Sequence, residues 1–295
     1  MFFLFISCWQ DIESNNAKIP ISNDIAISSN QTSNVDSLTS QKISYEMKLI
    51  QAGDFIMGSK LDLSARHEDE TPHKVTLTKN FWIGVYEITQ KNWFDVMGTT
   101  PSFFSGCDTC PVESVSWCDV VYFANQLSKL TQLQEVYIVP KGLNNKNTVR
   151  ECNELAPRVQ MNWSANGYRL PTEAEWQYAA EGGGGFLYAG ADSPDPVAWY
   201  GKNSGKRTHP IGEKKPNAFG LYDMTGNVWE WCNDWHAAYT KEDLIDPKGP
   251  LSGGSRIIRG GSWDFGVGGG RLNNRNQGMP GERSGYIGFR LVRNE

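Results

Sequence analysis

Apolar and polar residues alternate along the chain in the stretch that follows residue 45. The alternation marks four segments, at residues 47–50, 54–57, 75–77 and 81–86. Successive side chains of a β-strand point to opposite faces, so a period of two gives the strand one apolar face. We therefore predict four short strands here, with a turn at Ala52-Gly53 between the first two.

Helical periodicity follows two residues that favour the N-cap position of a helix. Thr89 precedes a short helix predicted to end at Met97, and Ser116 precedes a longer one predicted to end near Leu130. Ser and Thr side chains accept hydrogen bonds from the free N–H groups of the first helical turn. The apolar residues of the longer helix lie along one side, which favours packing of that side against a core.

A third helix is predicted to start after Thr172, because Thr172 and Glu175 have the spacing of a capping box. Residues 131–167 lose the periodic pattern and are predicted to be a surface insertion. After Gly182 the chain is rich in turn residues, which predicts short strands and loops. Together these patterns predict a single α+β domain over residues 45–295, with short helices, irregular strands and long ordered loops.

The first eight residues have a different character from this domain. They are apolar and end in Ser7-Cys8, and bacterial lipoprotein signals end in a small residue followed by the lipidated cysteine. They are too short to span a bilayer and lack basic residues, so we predict a truncated or atypical lipoprotein signal with lipidation at Cys8. The alternative is a buried apolar strand in which Cys8 is incidental.

Residues 9–44 are rich in Ser, Asn, Gln and Asp. Such a composition buries too little apolar area to offset the entropy of ordering the chain, so a disordered polar tether is predicted. Lipid anchor, tether and domain together predict an outer-membrane lipoprotein at the cell surface. The formal net charge of -5 and the lack of a Lys/Arg run argue against nucleic acid as a partner.

Five further cysteines lie in the predicted domain. Cys107 and Cys110 form a CxxC pair without a second such pair or a nearby group of histidines. A zinc site is therefore weakly supported, and a local disulfide in an exported protein is favoured. Cys118, Cys152 and Cys232 remain, and the odd count leaves at least one thiol unpaired, which we expect to be buried.

A series of motifs runs in order through the domain. They lie at residues 53–59, 87–89, 111–117, 169–176, 217–231, 259–263 and 288–290. In this order they resemble the formylglycine-generating-enzyme/sulfatase-modifying family over about residues 45–293. The resemblance implies a C-type-lectin-like fold of the formylglycine-generating-enzyme subtype. It also implies that the first and last strands, around Phe55 and around Phe289, pair near the centre.

Most residues of these motifs have a structural interpretation. Tryptophan buries a large area, so four of them are expected in the core: Trp176, Trp229, Trp231 and Trp263. Arg169 and Arg290 are expected to bind carbonyls or carboxylates rather than a substrate.

The resemblance also implies calcium as a candidate cofactor, because members of the family hold calcium with side-chain and backbone oxygens. The first set of ligands falls on the carboxylates of Asp223 and Glu230 and the carbonyls of Gly226 and Val228. A weaker second set falls on Asn203, Ser204, Glu213 and Lys215. The alternative for the first set is a hydrogen-bonded turn without an ion.

Enzymes of this family need two cysteines that bind copper, shortly after the motif at residues 259–263. Phe265 and Gly270 occupy those positions, and no cysteine follows Cys232. Because soft thiolates hold Cu(I), we expect neither copper nor the oxidase chemistry of the family. Related sulfoxide synthases bind iron through a His triad, but the histidines here are scattered: His67, His73, His209 and His236.

The segment from Arg259 to Arg290 resembles the variable region of diversity-generating-retroelement proteins, in which adenines of template codons are mutagenised. Its fixed elements are 259–263, Arg271, 274–276, Pro280, Arg283 and 287–290. The remaining positions are predicted to vary and to bind ligand: Asp264, Phe265, Gly266, Gly268, Gly269, Gly270, Gln277, Gly278, Gly281, Glu282, Ser284, Gly285 and Tyr286. Of these, Gln277 and Glu282 need parent codons other than AAC.

This resemblance predicts a non-catalytic, sequence-diversified binding protein, monomeric, with a macromolecular or host-cell ligand. A frame that fixes the backbone would let the varied side chains face solvent, with Phe265 and Tyr286 as aromatic contacts and the glycines leaving a shallow pocket. Three alternatives stay open. They are a structural cell-envelope protein of the same fold, an oxygenase or protein-modifying enzyme that uses other residues, and a glycine-rich loop without a partner.

Overall fold

The computed structural model describes residues 45–59 and 67–295. The predicted lipidation site Cys8 and the predicted tether lie outside these residues. The described part contains four α-helices, α1 to α4, at Gln90–Met97, Trp117–Leu130, Val149–Leu155 and Glu173–Glu181, and 3-10 turns at Ala156–Arg158 and Val267–Gly270. Its strands β1 to β13 are Met47–Ile50, Gly53–Met57, His73–Leu77, Phe81–Gly84, Tyr137–Ile138, Gln160–Met161, Tyr168–Arg169, Trp229–Trp235, Leu244–Ile245, Arg256–Arg259, Arg275–Gly278, Ile287–Gly288 and Val292–Asn294.

The helices start where the capping residues predict. The side chains of Thr89, Ser116 and Thr172 each accept a hydrogen bond from the backbone N–H three residues later. The side chain of that later residue in turn accepts a hydrogen bond from the backbone N–H of the cap. The predicted N-caps, the capping box and the ends of α1 and α2 are therefore confirmed. None of the described helices is long and apolar enough to cross a membrane.

The two ends of the domain meet on strand β4. β1 and β13 both pair with β4 in antiparallel fashion, in a sheet of order β1-β4-β13-β7. The expectation that the strands around Phe55 and Phe289 pair with each other is wrong. Phe55 lies in β2, which the turn after Ile50 directs into a separate sheet of order β2-β3-β9. Phe289 instead accepts a hydrogen bond from the backbone N–H of Ile88.

Strand β8 lies at the centre of the sheet that carries the candidate site. All seven of its residues, Trp229–Trp235, are buried, and the sheet order is β11-β10-β8-β12. β10 pairs with it in antiparallel fashion and β12 in parallel fashion. The C-terminal third of the chain is thus built around one strand whose two faces both lie in the core.

Helix α2 packs its apolar side into an aromatic core. The ring of Phe123 stacks on Trp93 at 5.1 Å, and Phe289 meets both rings edge-on. Aromatic pairs of this kind add to the free energy gained from burial alone. The final motif of the chain is in this way tied to the two N-terminal helices.

Residues 131–167 are not the surface insertion that their lack of rhythm predicts. They form the antiparallel strand pair β5 and β6, with helix α3 between the two strands in the chain, and they bury Val136, Tyr137 and Cys152 in the main core. The Tyr137 hydroxyl accepts a hydrogen bond from the backbone of Leu170. Short elements of two or seven residues carry too little periodicity to be recognised in sequence.

The cysteines form two disulfides and leave one buried thiol. Cys107 pairs with Cys110, and Cys118 pairs with Cys152. Cys232 is buried outside both bonds. The local CxxC disulfide and a buried remaining cysteine are confirmed, and the second disulfide ties residues 131–167 to helix α2.

We expect the Cys118–Cys152 disulfide to contribute more to stability than Cys107–Cys110. The former joins residues 34 apart and the latter residues 3 apart. A longer closed loop removes more entropy from the unfolded chain, so a C118A/C152A variant should lose about 2–4 kcal/mol of unfolding free energy. Denaturant unfolding measures this, with C107A/C110A as the control. An equal or larger loss in the control would contradict the prediction.

Candidate ligand-binding site

Five arginines hold the segment from Arg259 to Arg290 to the rest of the domain. Each donates hydrogen bonds to a carboxylate on another element, and four of the pairs are two-pronged. The pairs are Arg259–Glu173, Arg271–Glu70, Arg275–Glu173, Arg283–Asp119 and Arg290–Glu230. The planar guanidinium matches a carboxylate in geometry, so such pairs fix orientation as well as distance.

The pairs formed by Arg259 and Arg290 are the most deeply buried. Arg290 donates to both oxygens of Glu230 at 2.7 Å, and both side chains are almost fully buried. Arg259 donates to Glu173 at 3.0 Å and to Gln177 and the carbonyl of Leu272 at 2.8 Å. Arg169 likewise binds Glu175, so the expectation that Arg169 and Arg290 hold carboxylates is confirmed.

The two glycines after Arg259 explain why this motif is so specific. Gly260 and Gly261 have φ of 95° and 81°, which side-chain-bearing residues rarely adopt. A Cβ on Gly261 would also come within 3.0 Å of the Cα of Gly270. The turn brings the backbone of Trp263 to the carbonyl of Asn227, to which it donates at 2.8 Å.

The backbone carbonyls of several predicted variable positions accept hydrogen bonds from residues outside the predicted variable positions, which we call the frame. The pairs are Phe265 with the N–H of Gly201, Ser284 with that of Ser114, Tyr286 with that of Trp229, and Gly285 with the indole N–H of Trp263. The distances run from 2.7 to 3.0 Å. None of these bonds uses a side chain of a predicted variable position, so the bonds themselves require no particular residue type there.

Exposure divides the thirteen predicted positions into three groups. Five are exposed: Asp264, Gly266, Gly268, Gln277 and Tyr286. Six are half-buried: Phe265, Gly269, Gly270, Glu282, Ser284 and Gly285. Two, Gly278 and Gly281, are buried.

Gly278 and Gly281 correct the prediction, because a side chain at either position would point into the protein. A Cβ on Gly281 would lie 2.3 Å from the carbonyl oxygen of Val149, and one on Gly278 would lie 2.7 Å from the ring of Trp231. Both distances are below van der Waals contact, and the first involves backbone that cannot rotate away. We therefore exclude these two glycines from the ligand-binding surface.

The two predicted aromatic contacts differ in orientation. Phe265 packs edge-on against Trp229, with ring centroids 4.8 Å apart, whereas Tyr286 is 42% exposed. The cavity beside Phe265 measures only about 10 Å³, which is no more than one water molecule needs. The predicted shallow pocket is therefore absent at this place, and Tyr286 is the aromatic side chain available to a ligand.

Trp263 is half-buried, unlike the other three tryptophans expected in the core. Its ring lies between Phe104, 5.2 Å away, and Tyr286, 6.2 Å away. The difference arises because its indole N–H must reach the carbonyl of Gly285 at the surface. Trp263 thus supports the exposed surface from below.

Sequence reasoning missed the contribution of the loop before the first disulfide. Phe103 is 75% exposed and packs edge-on against Phe104, which in turn contacts Trp263. The backbone N–H of Phe104 donates to the Glu113 carboxylate at 2.8 Å. Burial raises the pKa of Glu113 despite this bond. Two adjacent phenylalanines in a polar loop were the available signal, and they extend the surface around Tyr286.

The two carboxylates of the first predicted calcium set accept hydrogen bonds within the protein. Both oxygens of Glu230 accept hydrogen bonds from Arg290, and one also accepts from the indole of Trp176. Asp223 accepts from the backbone of Gly212, and its second oxygen is buried without a hydrogen bond. Burial raises the pKa of Asp223 to about 6, and burial together with Asp223 raises that of Glu87 well above its usual value.

The second set is also engaged in bonds within the protein. Asn203 binds the backbone of its own turn, and Ser204 donates to the carbonyl of Trp263 at 2.7 Å. The carbonyl of Ser204 bonds to the ring of His209, Glu213 is 45% exposed, and Lys215 donates its backbone N–H to Pro196. Over residues 45–59 and 67–295, no group of three His, Cys, Asp or Glu is placed to hold a metal. Calcium binding stays a prediction.

The fold and this site are those of a family that includes enzymes. The family described as the sulfatase-modifying factor enzyme 1-like domain matches residues 34–295, and the chain belongs to it. Chaperone protein LppX of Paenibacillus barcinonensis is 38% identical over 241 residues, which cover 75% of this chain and 79% of that protein. The formylglycine-generating enzyme of Streptomyces coelicolor is 38% identical over 180 residues, covering 52% and 56%.

Solved structures add a more specific likeness. Treponema denticola variable protein 1 matches with a TM-score of 0.79 and 35% identity, covering 87% of this chain and 98% of that one. CarF matches with a TM-score of 0.63 and 30% identity, covering 85% and 98%. The predicted C-type-lectin-like fold of the formylglycine-generating-enzyme subtype is confirmed, as is the resemblance to retroelement variable proteins.

We expect loss of one partner of a buried arginine–carboxylate pair, and not substitution of the exposed positions, to destabilise the protein. Arg259→Met would leave the buried Glu173 with one partner fewer, which should cost about 3–5 kcal/mol of unfolding free energy. A combined Asp264→Ser, Gly266→Ser and Tyr286→Ser variant should stay within about 1 kcal/mol of the parent, since these residues are exposed. Thermal and denaturant unfolding measure both, with the exposed Arg207→Met as a matched control. Unfolding of the triple surface variant, with Arg259→Met as stable as the parent, would contradict this prediction.

Asp223→Asn should stabilise the protein above pH 6. The pKa of Asp223 is raised from 3.8 to about 6, so the folded state holds this proton more tightly than the unfolded chain. The proton on Asp223 therefore stabilises the folded state at acid pH. This stabilisation, on the order of 1–3 kcal/mol of unfolding free energy, is lost as the pH rises from about 4 to 6. The amide oxygen can still accept from Gly212. Melting temperatures from pH 4 to 8 test this.

Melting temperatures measured with calcium test the calcium prediction, and the exposed Asp108→Asn is the control. If calcium raises the melting temperature of the parent and not of Asp223→Asn, then Asp223 holds the ion and the stabilising effect of the substitution should reverse.

Proposed function

We propose that this protein is a sequence-diversified binding protein of the retroelement type, without catalytic activity of its own. Its ligand would contact the exposed positions between Asp264 and Tyr286. The observation that carries the proposal is the set of backbone hydrogen bonds that hold Phe265, Ser284, Gly285 and Tyr286 without their side chains. A surface held in this way can change its residues and keep its shape.

A fixed backbone also favours binding. Ordering a loop on association costs free energy, and a loop that is already ordered avoids this cost. The cavity beside Phe265 is too small for a small-molecule ligand, while the aromatic side chains of Tyr286 and Phe103 are exposed. This combination suits a macromolecular ligand that lies across the surface rather than a metabolite that enters it.

The positions that correspond to the copper-binding cysteines of the family support a non-catalytic role. Phe265 packs on Trp229, and a Cβ on Gly270 would contact Thr225, so neither position offers a ligand for a soft metal. Cys232 is the one cysteine outside a disulfide in the described part of the chain. It is buried, and burial raises the pKa of its thiol well above the usual value. A protonated, inaccessible thiol does not serve redox chemistry.

The proposal includes display at the cell surface as a monomeric, outer-membrane lipoprotein. It rests on the predicted lipidation of Cys8 and on the polar composition of residues 9–44. Two disulfides in the described part agree with a protein that matures outside the reducing cytosol. A tether would let the binding surface reach partners beyond the membrane.

Sequencing the DNA that flanks the gene tests the proposal. We expect a near-copy of the segment that encodes residues 259–290, beside a reverse transcriptase gene. The two copies should differ at adenines of the template, in codons for exposed positions such as Asp264 and Tyr286, and agree at the codons for Arg259 and Arg290. Lack of any such repeat would support a structural envelope protein instead. Oxidation of a cysteine-containing sulfatase peptide by the purified protein would support an enzyme.

A further inference from the structure

A second candidate site lies outside the surface described above. A cavity of about 390 Å³ is formed between strand β3, the end of β8 and the loop at residues 237–250. None of the positions 264–270 or 284–286 lines it. Its volume lies in the range of small-molecule sites. It reaches the surface beside the exposed residues Ala237, Ala238 and Thr240.

The carboxyl group of Asp234 lines this cavity and is only 5% exposed. Its Oδ2 atom accepts a hydrogen bond of 3.0 Å from the backbone N–H of Glu173, at the start of helix α4. Its Oδ1 atom accepts no hydrogen bond from the described residues. Gly249 covers the side chain so closely that a Cβ there would lie 2.7 Å from the Cβ of Asp234.

Asp234 also has no ion-pair partner within residues 45–59 and 67–295. Both nearby arginines of the frame, Arg259 and Arg275, bind Glu173 instead. Arg256 lies between the rings of Trp117 and Trp235 and donates to the carbonyl of Asn233. Burial, and after it the charge of Glu173, raises the pKa of Asp234 to about 8.

His73 and Tyr239 also line the cavity. The Nδ1 atom of His73 lies 3.1 Å from the carbonyl of Thr71, which can only accept, so Nδ1 carries a proton, and in a neutral ring the other nitrogen is an acceptor. The buried hydroxyl of Tyr239 lies beside the Glu173 carboxylate, and this contact acts to lower the pKa of Glu173. Met57, Leu244 and the ring of Trp235 form apolar walls.

We propose that this cavity binds a primary ammonium group on a short apolar chain, with the ammonium at Oδ1 of Asp234. A carboxylate in a protein interior normally has an ion-pair partner, and Asp234 has none within residues 45–59 and 67–295. An ammonium supplies that charge and three N–H donors, which match the carboxylate, His73 and Tyr239. The apolar walls accommodate the aliphatic chain. This inference does not depend on the proposed function of the variable surface.

Calorimetric titration with n-pentylamine tests the proposal, with 1-pentanol as a neutral probe of the same shape. We expect the amine to bind and the alcohol to bind at least about tenfold more weakly, because only the amine gains a charge-assisted hydrogen bond. Nα-acetyl-lysine methylamide forms a third arm. Its binding would assign a lysine side chain as the source of the ammonium, and failure to bind beside a binding amine would assign a free small amine.

The variant Asp234→Asn keeps an oxygen for the N–H of Glu173 and removes the charge, so amine affinity should fall about tenfold or more. Glu242→Gln, at an exposed acid of the same cavity, is the matched control and should change affinity less than about threefold. Equal losses in the two variants would overturn the assignment to Asp234, as would equal binding of amine and alcohol.

The pH dependence of amine binding needs no variant and gives a second readout. Groups that face Asp234 or the cavity are Glu173 and Glu175 on α4, His73 on β3, Arg256 and Arg275 on β10 and β11, and Tyr239, Glu242 and Lys248 on the loop. Below pH 8 a proton competes with the amine at Asp234, so affinity should fall about tenfold per pH unit. Affinity that is flat or rises toward acid pH would overturn the proposal.

Discussion

The whole C-terminal third of the protein depends on arginine–carboxylate pairs that join distant parts of the chain. The partners of the five arginines between residues 259 and 290 lie near strand β3, on helices α2 and α4, and on strand β8. Buried pairs add little net stability, because desolvation offsets their attraction, but losing one partner leaves a buried charge. Such pairs therefore specify where the segment lies more than how stable it is. That is the property a surface of changeable residues needs.

The segment combines positions whose residue type is fixed by sterics with positions that are held only through their backbone. Gly260 and Gly261 occupy positive φ angles and close contacts, so their identity is dictated by sterics. Three or four residues later, the backbone is held through its carbonyls, and these hydrogen bonds require no particular side chain. A position without space for a side chain must stay glycine: at Gly281 the backbone of Val149 fills the place of a side chain. Tolerance is therefore a property of each position and not of the segment.

The features that could be predicted from sequence are those with local causes. The caps at Thr89, Ser116 and Thr172 act within one helical turn, and the CxxC disulfide spans four residues. Strand pairing across the domain, the burial of residues 131–167 and the half-exposed position of Trp263 depend on contacts between remote segments. A single sequence contains no local signal for them. The ordered motifs identified the fold because they encode many such contacts together.

Glu173 shows how the frame creates chemistry that the fold alone does not specify. It forms ion pairs with both Arg259 and Arg275, and its backbone N–H donates a hydrogen bond to Asp234. Both arginines therefore pair with Glu173, and Asp234, buried beside that acid, has no ion-pair partner within residues 45–59 and 67–295, although the charge of Arg256 acts to lower its pKa. The ion pairs that hold the segment from Arg259 to Arg290 thus leave a buried carboxyl group without an ion-pair partner in a separate cavity, within the described residues. Relatives that share the fold can differ in function through such local charge patterns, while the packing between their elements stays the same.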